Sequence, residues 1–191
     1  MTQVGIKIIG ISGSLRTGSL NSALLREAVE LRHRDVHIEI VPIGELPLFN
    51  ADVEAVGLPE PARQLRERIR HSDGILIATP EYNFSVPGVL KNAIDWISRP
   101  VADPVVRGKP VAIMGAGGRL GTARAQAHLR QICTGLSMLV LGQPEFFLAS
   151  AWERFDANGR LADEPSKQAL AALLDAFARW IALVGRDRVR T

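Results

Sequence analysis

The stretch that decides the fold is Ile8-Ile-Gly-Ile-Ser-Gly-Ser-Leu-Arg-Thr-Gly-Ser-Leu-Asn21, where an apolar run breaks into small polar residues before an amphipathic segment begins. The β-branched residues at 4–11 predict a strand that is covered on both faces, as in a parallel sheet. A helix is expected to follow, capped by Asn21 or Ser22. The turn between them combines unpaired backbone N–H groups, serine hydroxyls and Arg16. It therefore predicts an anion site, with a phosphate group as the natural ligand.

Two better-known phosphate motifs do not fit this loop. Its first glycines are spaced G-x-x-G, so the dinucleotide fingerprint G-x-G-x-x-G is absent. Residues 13–18 match the first part of a Walker A loop, but Ser19 and Leu20 stand where that motif has Lys and then Ser or Thr. A flexible connection between strand and helix is the alternative interpretation. The position after the first strand and the presence of Arg16 favour binding.

Size and composition indicate one globular domain. The chain has 191 residues, which fit a single domain spanning 1–191 with a sizeable core. Its net charge of +3 is mild, and a short basic tail is usually solvated, so we expect no nucleic-acid partner. That tail carries Arg186, Arg188 and Arg190.

Cysteine and histidine usage predict a cytoplasmic protein without a metal centre. Cys133 is the single cysteine, so no intrachain disulfide can form, and its apolar surroundings predict a buried, inert thiol. The four histidines show no ligand spacing. The N-terminal apolar run is too short for a signal peptide or a membrane span, so we expect no membrane association.

Strand and helix patterns alternate along the rest of the chain. Further strands are predicted at 36–41, 74–78, 109–114 and 138–141, and a continuation of the last strand at 145–148 is left open. Helices are predicted at 59–72, 89–97 and 122–135, and an apolar stripe at helical spacing predicts a final helix with Leu170, Leu173, Leu174, Phe177, Ile181 and Val184. This order is typical of an open doubly wound sheet. Right-handed crossovers would bring the loops at 12–21, 80–87 and 115–121 to one edge, where ligands bind.

The second of these loops has an unusual composition. It reads Pro80-Glu-Tyr-Asn-Phe-Ser-Val-Pro-Gly88, with two prolines and an aromatic pair directly after a buried strand. A rigid loop of this kind can follow the edge of a flat heterocycle with its backbone groups, and Tyr82 or Phe84 offers a planar surface.

Together these motifs resemble the NADPH-dependent FMN reductases, and more narrowly their quinone and chromate reductase branch. The resemblance is carried by Gly10-Ile-Ser-Gly-Ser-Leu-Arg16 with Ser19 and Asn21, by Pro80-Glu-Tyr-Asn83, and by Pro87-Gly-Val-Leu-Lys-Asn-Ala-Ile-Asp-Trp96. It extends through 46–50, 115–126 and 144–146, and so covers most of the chain.

The resemblance implies a flavodoxin-like α/β fold, a doubly wound five-stranded parallel sheet in the order 2-1-3-4-5, and FMN as the cofactor. The implied cofactor-binding residues fall into three groups: Ser12, Ser14, Arg16, Ser19, Leu20 and Asn21 at the phosphate; Pro80, Glu81, Tyr82 and Asn83 along the isoalloxazine; and Gly117 and Gly118 in the third loop. The third loop departs from the family pattern, which commonly has Ser or Thr near its start where this chain has Gly115-Ala-Gly-Gly118.

The resemblance also implies the reaction. NADPH or NADH would transfer a hydride to FMN, and a quinone, chromate or a similar small-molecule acceptor would then take two electrons. No catalytic acid, base or nucleophile is required, and backbone N–H groups around Tyr82 and Asn83 are expected to stabilise the reduced ring. Family members are usually homodimers or homotetramers, and the apolar helix at 89–96 is a plausible interface.

Two other functions share this topology. A flavodoxin-type electron carrier would bind FMN without using NAD(P)H, but such carriers tend to be acidic, unlike this chain. A phosphoacceptor signalling domain needs an Asp at the end of the third strand, where this chain has Ala78-Thr-Pro80.

Several remaining residues have structural interpretations. Trp96, Trp152 and Trp180 are expected to be packing anchors, and 156–159 is expected to form a glycine-closed turn rather than a calcium loop. Glu81 is left open between the backbone of its own loop, the substrate and a neighbouring subunit. Arg124 and Glu145 are candidates for an internal or intersubunit ion pair.

Overall fold

The computed structural model describes residues 5–185, so the basic tail with Arg186, Arg188 and Arg190 lies outside the described residues. The described strands are β1 (Ile6–Ser12), β2 (Val36–Ile40), β3 (Gly74–Ala78), β4 (Pro110–Ala116), β5 (Leu139–Val140) and β6 (Phe146–Leu148). The described helices are α1 (Leu20–Leu31), α2 (Ala51–Val56), α3 (Glu60–Arg70), α4 (Gly88–Ile97), α5 (Ala123–Gly135) and α6 (Glu164–Gly185), with a 3₁₀ turn at Ala151–Glu153.

The strands form one parallel sheet in the order β2-β1-β3-β4-β5, which confirms the predicted doubly wound topology. The predicted number of strands is wrong by one. The fifth position holds two short strands, since β5 pairs with the start of β4 and β6 pairs with its end. Pro144 lies between them, and because proline has no N–H to donate, the ladder is interrupted there.

Helices cover both faces of the sheet. Ile8 and Leu76 point to the side of α1 and α6, where Phe177 is fully buried. Ile9 and Ile75 point to the opposite side, which is covered by α3, α4 and α5. This alternation within unbroken apolar runs confirms strands that are buried on both faces.

Helix α6 is the one described helix that is long and apolar enough to cross a membrane, judged by length and composition alone. Its apolar stripe, however, lies in the core formed with α1 and the sheet. Packing against the sheet accounts for the apolar composition of this helix.

Two local predictions are corrected by the structure. Helix α1 is capped by Ser19 rather than by Asn21 or Ser22, because the Ser19 hydroxyl accepts a hydrogen bond from the Ser22 N–H at 3.3 Å. Helix α2 lies in a segment for which no helix was predicted, and the Asn50 side chain caps it.

Two of the three tryptophans pack as predicted. Trp96 is fully buried and donates its indole N–H to the Pro47 carbonyl at 2.7 Å, and Trp180 donates to the Leu139 carbonyl at 2.8 Å. Both are packing anchors, as predicted.

Candidate functional site

Three loops meet at the carboxyl edge of the sheet and enclose a cleft of ≈ 210 Å³. They follow β1, β3 and β4, so the predicted convergence is confirmed. The cleft is lined by Ser14, Arg16, Ser19, Leu20, Asn21, Pro80, Glu81, Tyr82, Ala116, Gly117, Gly118 and Trp152. Of the predicted site residues, only Ser12 and Asn83 are missing from this lining.

The serines of the first loop hold the loop in shape. The Ser12 hydroxyl is hydrogen-bonded to the Ser22 hydroxyl at 2.8 Å and accepts from the Ser14 N–H at 3.3 Å. The Ser14 hydroxyl in turn accepts from the Arg16 N–H at 3.4 Å. Ser12 therefore supports the cleft from behind, whereas Ser14 and Ser19 line it.

Several donors of this loop have no acceptor within residues 5–185. They are the backbone N–H groups of Thr17, Gly18 and Leu20 and the guanidinium group of Arg16, which is exposed at the cleft. The N-terminus of α1 adds the positive end of its dipole. This arrangement of free donors is suited to a dianionic phosphate.

Asn21 joins the first loop to the third. Its Oδ1 accepts from the Ala116 N–H at 2.9 Å, and its Nδ2 donates to the Ala116 carbonyl at 2.9 Å. Both residues are buried. The start of α1 is thereby fixed against the end of β4, which sets the width of the cleft at this point.

Gly13 allows the first loop to approach the second. Its N–H donates to the Ala78 carbonyl at 2.8 Å, and a Cβ at this position would lie 3.1 Å from both Pro80 Cδ and Leu90 Cδ2. A side chain at position 13 would require Pro80 or Leu90 to shift by a few tenths of an ångström, so glycine favours this close approach of the two loops.

The second loop ends in a tight hairpin turn. Asn83 and Phe84 both have positive φ, at 47° and 62°, and the Tyr82 and Ser85 backbones exchange hydrogen bonds of 3.2 and 3.0 Å. Positive φ at both central positions is the signature of a type I′ turn. The Tyr82 N–H is thus already paired, whereas the N–H groups of Glu81 and Asn83 have no acceptor among the described residues.

The Glu81 carboxylate contacts helix α5, a partner that was not among the alternatives left open for it. Its Oε2 accepts from the backbone N–H groups of Arg124 at 2.9 Å and Ala125 at 3.1 Å, which lie in the first turn of α5. Its Oε1 lies 3.7 Å from the Arg124 guanidinium group. The carboxylate therefore caps α5, where the helix dipole favours a negative charge.

Arg124 and Glu145 do not pair with each other in this structure. Arg124 pairs with Glu81 and lies over the Phe84 ring, 4.6 Å from its centroid. Glu145 pairs with Arg130 at 3.5 Å.

Backbone hydrogen bonds hold the third loop in place. The Gly117 N–H donates to the Leu148 carbonyl, and the Gly117 carbonyl accepts from the Ala151 N–H. The Gly118 carbonyl accepts from the N–H groups of Ser150 and Gly121, both at 2.9 Å. These bonds fix the backbone positions of Gly117 and Gly118 where they line the cleft.

The departure of this loop from the family pattern has a packing explanation. A side chain at Gly115 would clash with the Thr122 hydroxyl and the Thr79 carbonyl. Thr122 is fully buried and its hydroxyl accepts from Gln126 at 3.0 Å. The Thr122 side chain thus fills the space that a Ser or Thr at 115 would need.

Sequence reasoning missed two residues of the cleft. Ala116 carries no chemical signal, because it takes part through its backbone alone. Trp152 was predicted to be a packing anchor, but its side chain is 62% exposed and lines the cleft, so that prediction is wrong. Its position depends on the 3₁₀ turn at Ala151–Glu153, and a turn of three residues is too short to be predicted from hydrophobic periodicity.

The cysteine lies away from the cleft. Cys133 lies in α5 with its side chain buried, and burial raises the pKa of its thiol to about 12. The expectation of a buried thiol is confirmed, and the raised pKa disfavours the thiolate near neutral pH.

Comparison with known proteins identifies the family. Residues 6–153 match the sequence profile of the NADPH-dependent FMN reductases. This chain belongs to that family. It is 51% identical over 177 residues to an NAD(P)H-dependent FMN reductase of Pseudomonas aeruginosa, covering 92% of this chain and 95% of the relative. It is 42% identical over 186 residues to a 2-hydroxy-1,4-benzoquinone reductase of Burkholderia sp., covering 97% and 99%.

A solved flavoenzyme structure has the same fold as this chain. FerB, a flavoenzyme NAD(P)H:(acceptor) oxidoreductase of Paracoccus denitrificans, superposes with a TM-score of 0.86 at 36% identity, covering 93% of this chain and 97% of FerB. The flavodoxin-like fold and the family resemblance are confirmed. As an NADPH-dependent FMN reductase the chain is an oxidoreductase with FMN as its cofactor, and nothing in the comparisons favours a flavodoxin-type carrier.

Proposed function

We propose that this NADPH-dependent FMN reductase passes electrons from NAD(P)H to quinones, with oxyanions such as chromate as further acceptors. The observation that carries the proposal is that one cleft contains both the unpaired N–H donors of the first loop and the exposed aromatic side chains of Tyr82 and Trp152. Relatives at 39–42% identity named quinone reductases support the acceptor class, among them the benzoquinone reductase of Burkholderia sp. and a quinone reductase of Escherichia coli.

The donors of the first loop fit the phosphate of FMN. Ser14, Ser19 and Arg16 line this end of the cleft, and the unpaired N–H groups of Thr17 and Gly18 belong to the same turn. Two negative charges on a phosphate would meet one guanidinium group and a helix N-terminus. We therefore assign these residues to holding the phosphate, with Ser12 as their support.

The second and third loops fit the ring of FMN, which when bound supplies the hydride and electron transfer chemistry. Pro80, Glu81 and Tyr82 line one side of the cleft, and Gly117 and Gly118 line another. The unpaired N–H groups of Glu81 and Asn83, on either side of Tyr82, are the donors that would stabilise negative charge on the ring. Asn83 keeps its place in the proposal through the turn that holds Tyr82.

No side chain of the cleft is required to move a proton. The carboxylate of Glu81 is engaged by two backbone N–H groups and Arg124, so it is a positioning group for α5 and its loop. The exposed aromatic side chains of Tyr82 and Trp152 offer planar apolar surface to a flat acceptor such as a quinone.

We also propose a cytoplasmic homodimer or homotetramer. The apolar side chains of α4 that predicted an interface, including Leu90 and Ile94, pack into the core of the chain. The exposed apolar residues away from the cleft are the remaining candidates, and they include Val56, Val101 and Leu183. Light scattering coupled to size-exclusion chromatography would measure the oligomeric state. A monomer at micromolar concentration would contradict this part of the proposal.

The proposed reaction can be tested on the purified protein. We expect a yellow protein with a flavin spectrum that is bleached on mixing with NADPH in a stopped-flow instrument. Addition of 1,4-benzoquinone should restore the colour and sustain NADPH oxidation, and chromate should do so in a separate assay. A colourless protein that gains no activity with added FMN would overturn the proposal, and a flavin that NADPH and NADH leave oxidised would favour an electron carrier.

A further inference from the structure

A second cleft of ≈ 320 Å³ adjoins the first at the same edge of the sheet. It is lined by Glu81, Phe84, Gly117, Gly118, Arg119, Leu120, Gly121 and Arg124. Glu81, Gly117 and Gly118 also line the first cleft, so the two are continuous. A ligand that is longer than the first cleft can extend directly into the second.

Arg119 is held at a fixed place in the second cleft. It lies in the turn from Gly118 to Gly121, which is closed by the 2.9 Å hydrogen bond between these two residues. Gly121 has φ 60° and packs against Phe147, and the Gly118 carbonyl is also bound by the Ser150 N–H. The backbone that carries Arg119 is thus preorganised, which lowers the cost of ordering this side chain on a ligand.

The charge of Arg119 is not compensated within the described part of the chain. Its exposed guanidinium group has no hydrogen-bond or ion-pair partner among residues 5–185. Arg124, in the same cleft, is paired with Glu81 and stacked on Phe84. The second cleft therefore has one positive charge in excess, beside an aromatic ring that is 65% exposed.

We propose that Arg119 binds the 2′-phosphate of NADPH and so selects NADPH over NADH. This inference rests on the proposed function, in which NAD(P)H reduces an FMN held in the first cleft. A dinucleotide has its reacting ring at one end and its adenosine at the other, so its nicotinamide can meet the flavin at the first cleft while its adenosine lies in the second. The 2′-phosphate is the group by which the two nucleotides differ, and a guanidinium group binds phosphate in bidentate geometry. Arg124 covers one face of the Phe84 ring, and the exposed remainder of this side chain is available to the adenine.

The kinetic test compares Arg119→Ala with Arg107→Ala. Arg107 is a matched control, because it is also exposed, has no side-chain partner among the described residues and lies before β4, at the opposite edge of the sheet. In Arg119→Ala the KM for NADPH should rise about tenfold while kcat, the KM for NADH and the flavin content stay unchanged, as expected for loss of one charged hydrogen-bonding group. Arg107→Ala should match the parent protein with both nucleotides, and Arg119→Lys should recover part of the preference.

A binding test avoids turnover. Calorimetry on the FMN-loaded protein should show adenosine 2′,5′-bisphosphate binding more tightly than ADP, and Arg119→Ala should remove the difference. Equal losses for NADPH and NADH, an unchanged NADPH preference, or a loss confined to chromate reduction would each overturn the inference. If neither nucleotide reduces the flavin of the parent protein, the proposed function fails instead, whereas the binding result for Arg119 can still be read.

Discussion

Replacing Asn21 with alanine is expected to separate two of the three loops that form the cleft. The substitution removes both hydrogen bonds to Ala116, each 2.9 Å long, and leaves a buried N–H and a buried carbonyl without partners. Each such group costs about 1–3 kcal/mol, so the pair should cost roughly 2–6 kcal/mol. The better helix propensity of alanine offsets about 0.5 kcal/mol of this loss. For a domain of this size Tm falls by roughly 2–4 °C per kcal/mol, so a decrease of about 3–20 °C is expected in the apoprotein.

The matched control is Asn92→Ala. The Asn92 side chain also makes two hydrogen bonds to backbone, accepting from the Phe49 N–H at 2.8 Å and donating to the Pro47 carbonyl at 2.9 Å, but it does not line the cleft. Fluorescence quenching of FMN titrated into each apoprotein, well below its Tm, measures affinity apart from stability. Asn21→Ala should weaken FMN binding at least tenfold, a change of about 1.4 kcal/mol, whereas Asn92→Ala should lower Tm and leave the affinity unchanged.

Two results would refute this reasoning. A normal FMN affinity in a destabilised Asn21→Ala protein would show that the bonds to Ala116 support the fold without setting the width of the cleft. An unchanged Tm would show that water replaces the amide and that the burial of Ala116 is not maintained.

Three further predictions concern single residues. Arg16→Ala should weaken FMN binding by about 10- to 100-fold, corresponding to roughly 1.5–3 kcal/mol for a charged hydrogen bond. Arg34→Ala removes an exposed arginine in the turn that follows α1 and should leave the affinity unchanged. Equal affinities in the two variants would show that backbone and serine donors suffice. Glu81→Gln should lower the free energy of unfolding by about 0.3–1 kcal/mol, and Tm with it, because a negative charge is lost at the start of α5. The pH profile of kcat should stay unchanged, and a shifted profile would identify Glu81 as a proton donor. A thiol reagent at pH 8 should label Cys133 only after unfolding, because burial raises the pKa of this thiol to about 12 and the thiol therefore stays neutral at pH 8. Rapid labelling of the native protein would contradict its burial.

The local patterns of the sequence determined the fold class and the place of the site. Unbroken apolar runs such as Ile75 to Ala78 require a sheet covered on both faces, and glycine or proline at the ends of three strands marks loops at one edge. The phosphate loop and the Pro80 loop were recognisable because their composition is itself the chemical signal. The family resemblance supplied the cofactor, which no pattern of residues alone had specified.

What only the tertiary structure decided depends on contacts between segments far apart in the chain. Asn21 is bonded to Ala116 and Glu81 caps α5, and neither partner could be chosen from a single segment, because any buried amide or carboxylate has many possible partners before the loops are placed. Trp152 lines the cleft because the turn after β6 brings it there. The free charge of Arg119 likewise became apparent only when the neighbouring Arg124 was found to be paired, since compensation of a charge is a property of the assembled surface and not of the sequence.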